Sequence, residues 1–516
     1  MVTSSKSKAP GNSSFTCDYT EFNSTACNGE DFYKEHNGKR YCVLHFPSEE
    51  KDVAFNEALK RKLDAEDYNF GGIWFPHKVV FSNYAFSKEA NFVNATFNEG
   101  VDFTHASFMS GALFIRATFG AGAFFNEATF SAPAYFTFAT FSAETDFYKA
   151  VFSAKADFSA TKFSQEASFS LVTFSELADF QYATFQEEAT FTGSTFNKGV
   201  DFINVTFKKD AGFAGTTFGA RADFSDTSFY SSAIFFRAIF DKEAEFRETT
   251  FLTLAYFRET RFRDHVLFAI NEKRSGFDGS TQLNLEFAEI EKPERVSFHT
   301  HTLRPHWFVN VDSRKFNFIN VDWKGSIEQE FQDLKDKYEE QELTYEVVST
   351  LRRLLALTYR QLAVNAEENH LYEEASRFRY WSMDMRRLES RLGLTPWRLS
   401  WWYWLASGYG ERSFRALIVL LIVWLAFAVL YTQAGFAPRQ MRHLGESNES
   451  VALRAEVGEP LAWSRATTYS LGVISLQKPD PRPATIWAQR LVTLETILGP
   501  LQAALLALAI RRKFMR

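Results

Sequence analysis

Residues 91–119 read NFVNATFNEGVDFTHASFMSGALFIRATF and carry six phenylalanines, at Phe92, Phe97, Phe103, Phe108, Phe114 and Phe119. The gaps between them alternate between five and six residues. Neither the 3.6-residue period of an α-helix nor the two-residue period of a strand gives this spacing. Two series, Phe81 to Phe268 and Phe86 to Phe262, each advance in steps of eleven and together hold 35 of the 57 phenylalanines. The stretch therefore belongs to a long internal repeat.

This repeat predicts a chain wound into a coil. A small side chain usually stands two residues before each phenylalanine, as at Ala95 and Ala106, and the residues between are mostly polar. A chain that turns a corner every five or six residues points the phenylalanine and the small residue inward. Four such sides make a coil of about 22 residues, and successive coils stack about 4.8 Å apart. We expect equivalent rings to stack on one another along the coil.

On these residues, segment 81–268 resembles the pentapeptide-repeat family, whose unit here is small-x-Phe-x-x. The resemblance implies a right-handed quadrilateral β-helix. The predicted fold class is therefore mainly β, followed by an α-helical hairpin and two transmembrane α-helices. The alternation of five and six residues departs from the strict fives of the family. Some family members mimic DNA through a strongly acidic surface, and this segment is mildly acidic, with 22 acidic and 15 basic residues.

The composition excludes some classes of function. A net charge of −6 argues against binding nucleic acid through its phosphates. Residues 1–400 show no phosphate-binding loop, no Ser/His/Asp order and no paired catalytic carboxylates, so we do not expect an enzyme. The first thirty residues lack the apolar segment of a signal peptide, so we expect the large N-terminal part in the cytoplasm.

The three cysteines, Cys17, Cys27 and Cys42, all lie in the first 42 residues. An odd number of cysteines without an export signal argues against a disulfide framework. Cys42 and His45 have the spacing of two ligands of one tetrahedral ion, and Cys17 and Cys27 can supply the other two. Residues 1–50 are therefore either a segment clipped by a structural zinc ion or a segment with three reduced thiols.

The rest of the N-terminal half frames the repeat. We expect a capping helix in 51–80 and degenerate closing coils in 269–325. His299, His301 and His306 lie in the closing coils, and we interpret them as exposed alternating positions rather than as a metal site. Residues 326–393 have helical periodicity and the small/large spacing of a tetratricopeptide-like hairpin, with a break near Asn365–His370.

The C-terminal part predicts a membrane domain in 414–510, with an interfacial helix in 394–413 before it and a basic tail in 511–516 after it. Residues 414–432 and 491–510 are apolar and long enough to cross a bilayer. Thr395 and Pro396 suit the start of the interfacial helix, whose tryptophans suit the headgroup boundary. Segment 461–476 is too short to cross and is predicted to be re-entrant.

The order of span, short segment and span is the plan of two-helix pore-loop channels. The stretches SGYGERSFRAL and LETILGPLQAALLALAIRRKFMR resemble the C-terminal region of bacterial pentapeptide-repeat proteins regarded as channel-like. The Thr-Val-Gly-Tyr-Gly filter of potassium channels is absent, and Ser475–Pro479 stands in its place. The candidate pore or re-entrant residues are Ser470, Ser475, Gln477, Lys478, Glu495 and Pro500.

Glu495 is an ionisable residue inside a span, which indicates a functional or cavity-facing position. The alternative is that it pairs with Arg490 or reaches water near the boundary. Pro500 is either a gating kink or a tolerated bend.

Two functions remain open from the sequence. The first is a homo-oligomeric, ion-channel-like protein of the bacterial inner membrane, crossing it twice, whose cytoplasmic β-helix and hairpin act as sensor or stalk. The second is a non-conducting, membrane-tethered scaffold that presents the β-helix or the hairpin to a protein partner, or a weak DNA-mimic surface. The lipid bilayer is a partner in both, and nucleic acid in neither.

Overall fold

The structure is a computed structural model of the 516-residue chain. It describes residues 15–19, 26–27, 30–269, 281–338, 344–389, 398–437 and 459–514. The chain forms two compact units, Met1–Gly325 and Ser326–Arg516, which we describe in turn.

The N-terminal unit begins with an antiparallel hairpin and a helix. Strand β1 (Phe32–His36) pairs with β2 (Lys39–Cys42), and a short 3-10 turn, Glu49–Lys51, leads into helix α1 (Asp52–Asp64). Phe55 of α1 is buried against the ring of Phe75, with ring centroids 5.6 Å apart. Because Phe75 belongs to the first coil, α1 covers the end of the solenoid.

The first coil starts earlier than the phenylalanine series suggested. Phe70 stacks on Phe92 with centroids 4.8 Å apart, and Phe75 stacks on Phe97 at 4.6 Å. Both residues fall on the same eleven-residue steps as Phe81 and Phe86. The prediction of a capping helix over 51–80 is therefore wrong at its C-terminal end, because Phe70 and Phe75 already belong to a coil of the phenylalanine core.

The solenoid has four sides, each a parallel sheet of very short strands. The first side holds Trp74–Phe75, Thr96–Phe97, Thr118–Phe119, Thr140–Phe141, Lys162–Phe163, Thr184–Phe185, Thr206–Phe207, Ser228–Phe229 and Thr250–Phe251. The second holds Val79–Val80, Val101–Asp102, Ala123–Phe124, Thr145–Asp146, Ala167–Ser168, Ala189–Thr190, Ala211–Gly212, Ala233–Ile234, Leu254–Tyr256 and Gln282–Asn284. The third holds Ala85–Phe86, Ser107–Phe108, Thr129–Phe130, Val151–Phe152, Thr173–Phe174, Thr195–Phe196, Thr217–Phe218, Ile239–Phe240, Arg261–Phe262 and Glu289–Ile290. The fourth holds Ala90–Asn91, Ala112–Leu113, Ala134–Tyr135, Ala156–Asp157, Ala178–Asp179, Val200–Asp201, Ala222–Asp223, Ala244–Arg247, Val266–Ala269, Val296–His299 and Asn317–Ile319.

These sides form a β-solenoid of about 11 turns, as the fold class predicted. The two kinds of corner account for the alternation of five and six residues. A five-residue step, such as Phe92 to Phe97, contains a turn in which Ala95 N–H donates to the Phe92 carbonyl at 3.0 Å. Its third residue, Asn94, has a φ of 56°. In a six-residue step, such as Phe97 to Phe103, three residues separate the strands, and Phe103 directly follows its strand Val101–Asp102, whereas Phe97 is the last residue of its own strand.

The core consists of the phenylalanine rings and the small residues beside them. Phe169 is fully buried and stacks on Phe147 at 4.9 Å and on Phe191 at 5.0 Å. Where threonine replaces alanine in the core, its hydroxyl donates to a backbone carbonyl of the preceding coil, as Thr216 does to Phe191 at 2.7 Å. Because this hydrogen bond pairs the hydroxyl, a threonine can occupy the core without the cost of an unpaired polar group.

The closing coils depart from the regular pattern. They add strands Thr302–Leu303 and Asp322–Trp323 and two 3-10 turns, Pro293–Arg295 and Pro305–Phe308. Stacking continues, because Phe298 lies 4.9 Å from Phe268. The interpretation of the three histidines as exposed is wrong for His301, which is only 3% exposed because the chain folds it under the last coils.

The second unit is helical. Helix α2 spans Ile327–Asp336, and the hairpin consists of α3 (Tyr345–Glu368) and α4 (Tyr372–Glu389). Leu351, Leu355, Tyr359 and Leu362 of α3 are buried at the spacing that the sequence indicates. The Ser326 and Thr344 side chains cap α2 and α3 by accepting from backbone N–H groups.

Within the described residues after the hairpin, four further helices follow: α5 (Leu399–Ser407), α6 (Ser413–Tyr431), α7 (Trp463–Ile474) and α8 (Ile486–Phe514). Helix α6 and the segment Ile486–Arg512 of α8 are long and apolar enough to cross a membrane. The predicted helix start at Thr395 and Pro396, the proximal tryptophan Trp397 and the terminal Arg516 lie outside the described residues.

Candidate functional site

The short helix α7 is held between the two apolar helices by polar contacts. Trp424 of α6 donates from Nε1 to the Thr467 carbonyl of α7 at 2.9 Å. Ser470 Oγ of α7 lies 3.1 Å from the Trp424 carbonyl. An indole N–H and a hydroxyl that are buried among apolar helices need such partners, so these contacts fix the depth of α7 along α6.

Glu495 of α8 completes this arrangement. Its side chain is fully buried, and its carboxylate accepts hydrogen bonds from the Tyr431 hydroxyl of α6 and the Ser470 hydroxyl of α7. Its partners therefore differ from the predicted pairing with Arg490 or with water near the boundary, because Arg490 is exposed and the carboxylate is buried. One carboxylate joins all three helices.

The other predicted pore residues follow the C-terminal end of α7. Ser475, Gln477 and Lys478 are exposed. Leu476 has a φ of 59°, and Gln477 N–H donates to the Gly472 carbonyl at 2.9 Å, which ends the helix. A helix C-terminus carries a partial negative charge that favours cations, and the Lys478 ammonium counters it.

Gly499 and Pro500 lie inside α8. A Cβ on Gly499 would stand 2.7 Å from Ile474 Cγ1 and 3.3 Å from Ile474 Cα, so glycine permits the end of α7 to lie directly against α8. Pro500 is accommodated within the helix Ile486–Phe514. The close approach gives the Gly-Pro pair a packing role that the sequence did not indicate.

A second polar centre lies in the turn between α5 and α6, residues 408–412, which we name the junction turn. The Glu411 carboxylate accepts from Ser376 Oγ at 2.7 Å, from Arg379 Nε at 3.0 Å and from Arg512 Nη1 at 3.0 Å. Ser376 and Arg379 belong to α4 and Arg512 to α8. Glu411 thus connects the helical hairpin to the end of the second apolar helix.

The junction turn has further contacts to the same two helices. Arg387 of α4 donates from Nε to the Tyr409 hydroxyl and to Asp384 Oδ1, each at 3.0 Å. Burial raises the pKa of Tyr409, and the nearby Asp384 carboxylate adds to the effect. The Gln502 amide of α8 donates to the Ala406 and Ala416 carbonyls at 2.8 Å. The N-terminal end of α6 and the C-terminal end of α8 therefore meet at this turn.

In the N-terminal unit, the structure brings together the four predicted metal ligands. One donor atom from each of Cys17, Cys27, Cys42 and His45 lies within 4.8 Å of the other three. His45 Nδ1 is 3.2 Å from Cys42 Sγ and 3.7 Å from Cys17 Sγ. Three sulfurs and one imidazole nitrogen are a donor set that tetrahedral zinc prefers.

Hydrogen bonds within this cluster shift the pKa values of Cys17, Cys42 and His45. Hydrogen bonds with Cys27 and then Cys42 lower the pKa of Cys17, whereas contacts with Cys17 and Cys27 raise the pKa of Cys42. Burial disfavours the imidazolium, but hydrogen bonds to Cys17 and Cys27 outweigh it and raise the pKa of His45 to about 9.

The comparisons with known proteins identify the repeat. Residues 158–206 match the family model of pentapeptide repeats, which is built of nine copies. This part of the chain is similar to the pentapeptide repeats of that family. The same strand and corner pattern runs through the regular coils on either side of it. No curated protein and no solved structure matches the chain.

Sequence reasoning missed the residues that connect helices. Tyr431 lies 64 positions from its partner Glu495, and Trp424 lies 43 and 46 positions from Thr467 and Ser470, so no local motif marks these contacts. Glu411 and Arg512 are separated by 101 positions. The only indication in the sequence was that two polar residues, Glu495 and Gln502, lie within an apolar span.

Proposed function

We propose that the chain is a membrane-tethered pentapeptide-repeat protein whose second unit assembles with further copies into an ion-conducting pore. The observation that carries the proposal is the unit of α6, α7 and α8, in which a helix too short to cross is inserted between two apolar helices. Fixing a short helix at one depth with Trp424, Ser470 and Glu495 suits a constriction and is more than a simple anchor requires.

Assembly of several copies is needed because two spans cannot enclose a pore. Each apolar helix presents an exposed apolar face to lipid or to a second copy. The face of α6 contains Phe414, Leu417, Ile418, Leu421, Ile422, Leu425 and Val429, and the face of α8 contains Leu494, Ile497, Leu498 and Leu501. Exposed apolar faces of this length are stable in a bilayer or against another helix.

Ion selectivity in this proposal comes from residues 475–478. Ser470 and Glu495 are satisfied within one chain, so the exposed Ser475, Gln477 and Lys478 are the side chains that would line the constriction. A ring of Lys478 ammonium groups would oppose cations, as charged rings do in other pores. We therefore propose a pore without potassium selectivity.

The basic residues Arg412, Arg415, Arg511 and Arg512 flank the two apolar helices on the side where their ends meet. Basic residues favour the cytoplasmic side, so the solenoid and the hairpin lie in the cytoplasm in this proposal. There they act as a stalk or a sensor.

The experiment is electrical recording from purified protein in planar bilayers, together with its mass in nanodiscs. We expect a homo-oligomer that conducts, and we expect Lys478→Glu to shift the reversal potential in a salt gradient towards cation selectivity. Lys478→Gln is the matched control and should shift it less. A monomeric protein, or an oligomer without current, contradicts the pore.

A non-conducting scaffold is the second candidate. It is favoured by the contacts of Ser470 in α7 and Glu495 in α8, because these two side chains hydrogen-bond to each other within one chain and do not face a pore. In this case the solenoid presents a surface to a protein partner, while the spans only anchor it. A DNA-mimic role is less well supported, since several acidic residues of the solenoid pair with arginines, as Asp223 does with Arg221 at 2.7 Å.

A further inference from the structure

We propose that Cys17, Cys27, Cys42 and His45 bind one zinc ion that fastens the N-terminal segment to the first coil of the solenoid, with Lys51 as the buried counter-charge. The proposal concerns the N-terminal unit and does not depend on ion conduction. It rests on the convergence of four donor atoms, on the orientation of His45 and on the position of Lys51.

The donor atoms are placed almost as a tetrahedral ion requires. With Zn–S near 2.3 Å and Zn–N near 2.0 Å, ligand atoms stand about 3.5–4 Å apart. His45 Nδ1 lies 3.7 Å from Cys17 Sγ, within this spacing, and 3.2 Å from Cys42 Sγ, slightly closer than it. The limit of 4.8 Å on every pair means that small side-chain rotations complete the site.

His45 is oriented for binding through Nδ1. Its other nitrogen, Nε2, lies 3.0 Å from the Gly71 carbonyl and donates to it. A zinc-bound histidine commonly donates its second N–H to a carbonyl, which fixes the tautomer and leaves the first nitrogen free for the metal. Gly71 follows Phe70, the first phenylalanine of the solenoid core, so this bond links the metal ligand to the first coil.

Tyr19 covers one face of the His45 imidazole. Its ring stacks on His45 with centroids 4.5 Å apart. The chain leaves room for it at Gly72, where a Cβ would lie 2.1 Å from Tyr19 Cε1. Gly72 also has a φ of 70°, which favours glycine. The solenoid is thus shaped to receive the segment that carries Cys17.

Lys51 balances the charge of the site. Three thiolates, one neutral imidazole and Zn²⁺ sum to −1, and a buried negative charge needs a compensating cation. Lys51 is 1% exposed and lies against the segment between the ligands Cys42 and His45. Its ammonium donates to the Leu44 carbonyl at 2.9 Å and lies 4.7 Å from the centre of the Phe55 ring. A buried lysine among apolar groups has a clear role beside an anionic metal site.

Zinc is the metal that this donor set selects. Thiolates are soft ligands, and S₃N tetrahedra favour zinc over the harder magnesium or calcium. The four protein ligands leave no open position, so the ion is structural. It joins residues 15–19, 26–27 and 42–45, and the end of a repeat solenoid needs such a cover for its exposed core.

The first experiment measures metal content in full-length protein purified in detergent under reducing conditions. We expect about one zinc per chain by mass spectrometry, lost in Cys42→Ser and in His45→Ala. His77→Ala, which changes an exposed histidine of the same unit, is the matched control and should keep its zinc. Cobalt added to metal-free protein should give the visible absorption of a tetrahedral thiolate site.

Two further measurements do not require a ligand variant to fold. Chelation of the wild-type protein should make the three cysteines reactive towards iodoacetamide and the N-terminal segment sensitive to protease, and added zinc should reverse both. Lys51→Met should weaken zinc binding at least about 10-fold while keeping one site per chain. Protein that is metal-free when purified, with thiol reactivity and protease resistance unchanged by chelator or zinc, would overturn the proposal. Recovery of a disulfide among the three cysteines would overturn it as well.

Discussion

Arg512 Nη1, near the end of α8, donates to Glu411 Oε1 in the junction turn at 3.0 Å, and the Glu411 side chain is only 2% exposed. The same carboxylate accepts from Arg379 of the hairpin helix α4. Glu411 therefore links the hairpin to the end of an apolar helix through one buried charge. In the function proposed above, this contact is where a change in the hairpin would reach the apolar helices.

Loss of this contact should destabilise the second unit. In Arg512→Gln, the buried Glu411 loses one of its two arginine partners, and we expect a cost of about 1–3 kcal/mol in the free energy of unfolding. Denaturant unfolding in detergent, followed by tryptophan fluorescence, measures it. Arg511→Gln changes the exposed neighbour and should have little effect. Equal stability of the two variants would show that the ion pair does not hold the junction.

The phenylalanine core should be sensitive to single truncations. Phe169→Ala removes a fully buried ring that stacks on two others, and we expect a loss of about 3–5 kcal/mol in stability. Ser168→Ala, at the adjacent outward position, should change stability by less than about 0.5 kcal/mol. Chemical denaturation followed by circular dichroism distinguishes them. Small and equal effects would contradict the inward assignment of the repeat.

Gly499→Ala tests the contact between α7 and α8. At an exposed helix position this change would stabilise by up to about 1 kcal/mol. Here the new Cβ meets Ile474, so we expect a destabilisation of about 1–3 kcal/mol instead. In the Ile474→Ala background the penalty should shrink, because Cγ1 is removed. A double-mutant cycle on thermal unfolding in detergent measures the coupling, and additive effects would rule out the contact.

The buried His301 predicts a pH dependence of stability. Burial lowers its pKa in the folded protein to about 4, below the usual 6.5. Between these values the unfolded chain binds a proton that the folded protein does not, so stability falls as pH decreases from about 6.5 to 4, by up to about 1.4 kcal/mol per pH unit. His301→Asn should flatten this part of the profile. His105→Asn, at a half-exposed position, is the control and should leave the slope as in the wild type.

The solenoid was predictable from the sequence because a single residue type, phenylalanine, marks its period. Each coil repeats the same contacts, so the spacing of phenylalanine determines strands, corners and core together. The early start at Phe70 was visible on the same steps. The buried His301 was missed because the period is lost in the closing coils, where no spacing shows which side faces inward.

The polar contacts of the membrane segment could not be predicted in this way. Glu495 stood out in the sequence, but its partners Tyr431 and Ser470 lie 64 and 25 positions away, on other helices. Hydropathy locates apolar helices without indicating how they rotate against one another. The cysteine cluster lay between these cases, because residue type and number indicated the ligands while their convergence needed the folded chain.

The repeat of the solenoid advances by half a coil every eleven residues. A shift of eleven residues carries the strand Ala90–Asn91 onto Val101–Asp102, on the opposite side of the same coil. Removing 22 residues would therefore shorten the rod by one layer of about 4.8 Å and leave its two ends facing as before. Removing eleven would keep every phenylalanine in step but turn all that follows by half a revolution. Deleting whole coils would therefore change only the length of the solenoid. Deleting half a coil would also rotate its far end by half a turn, and in both cases the types of core contact would stay the same.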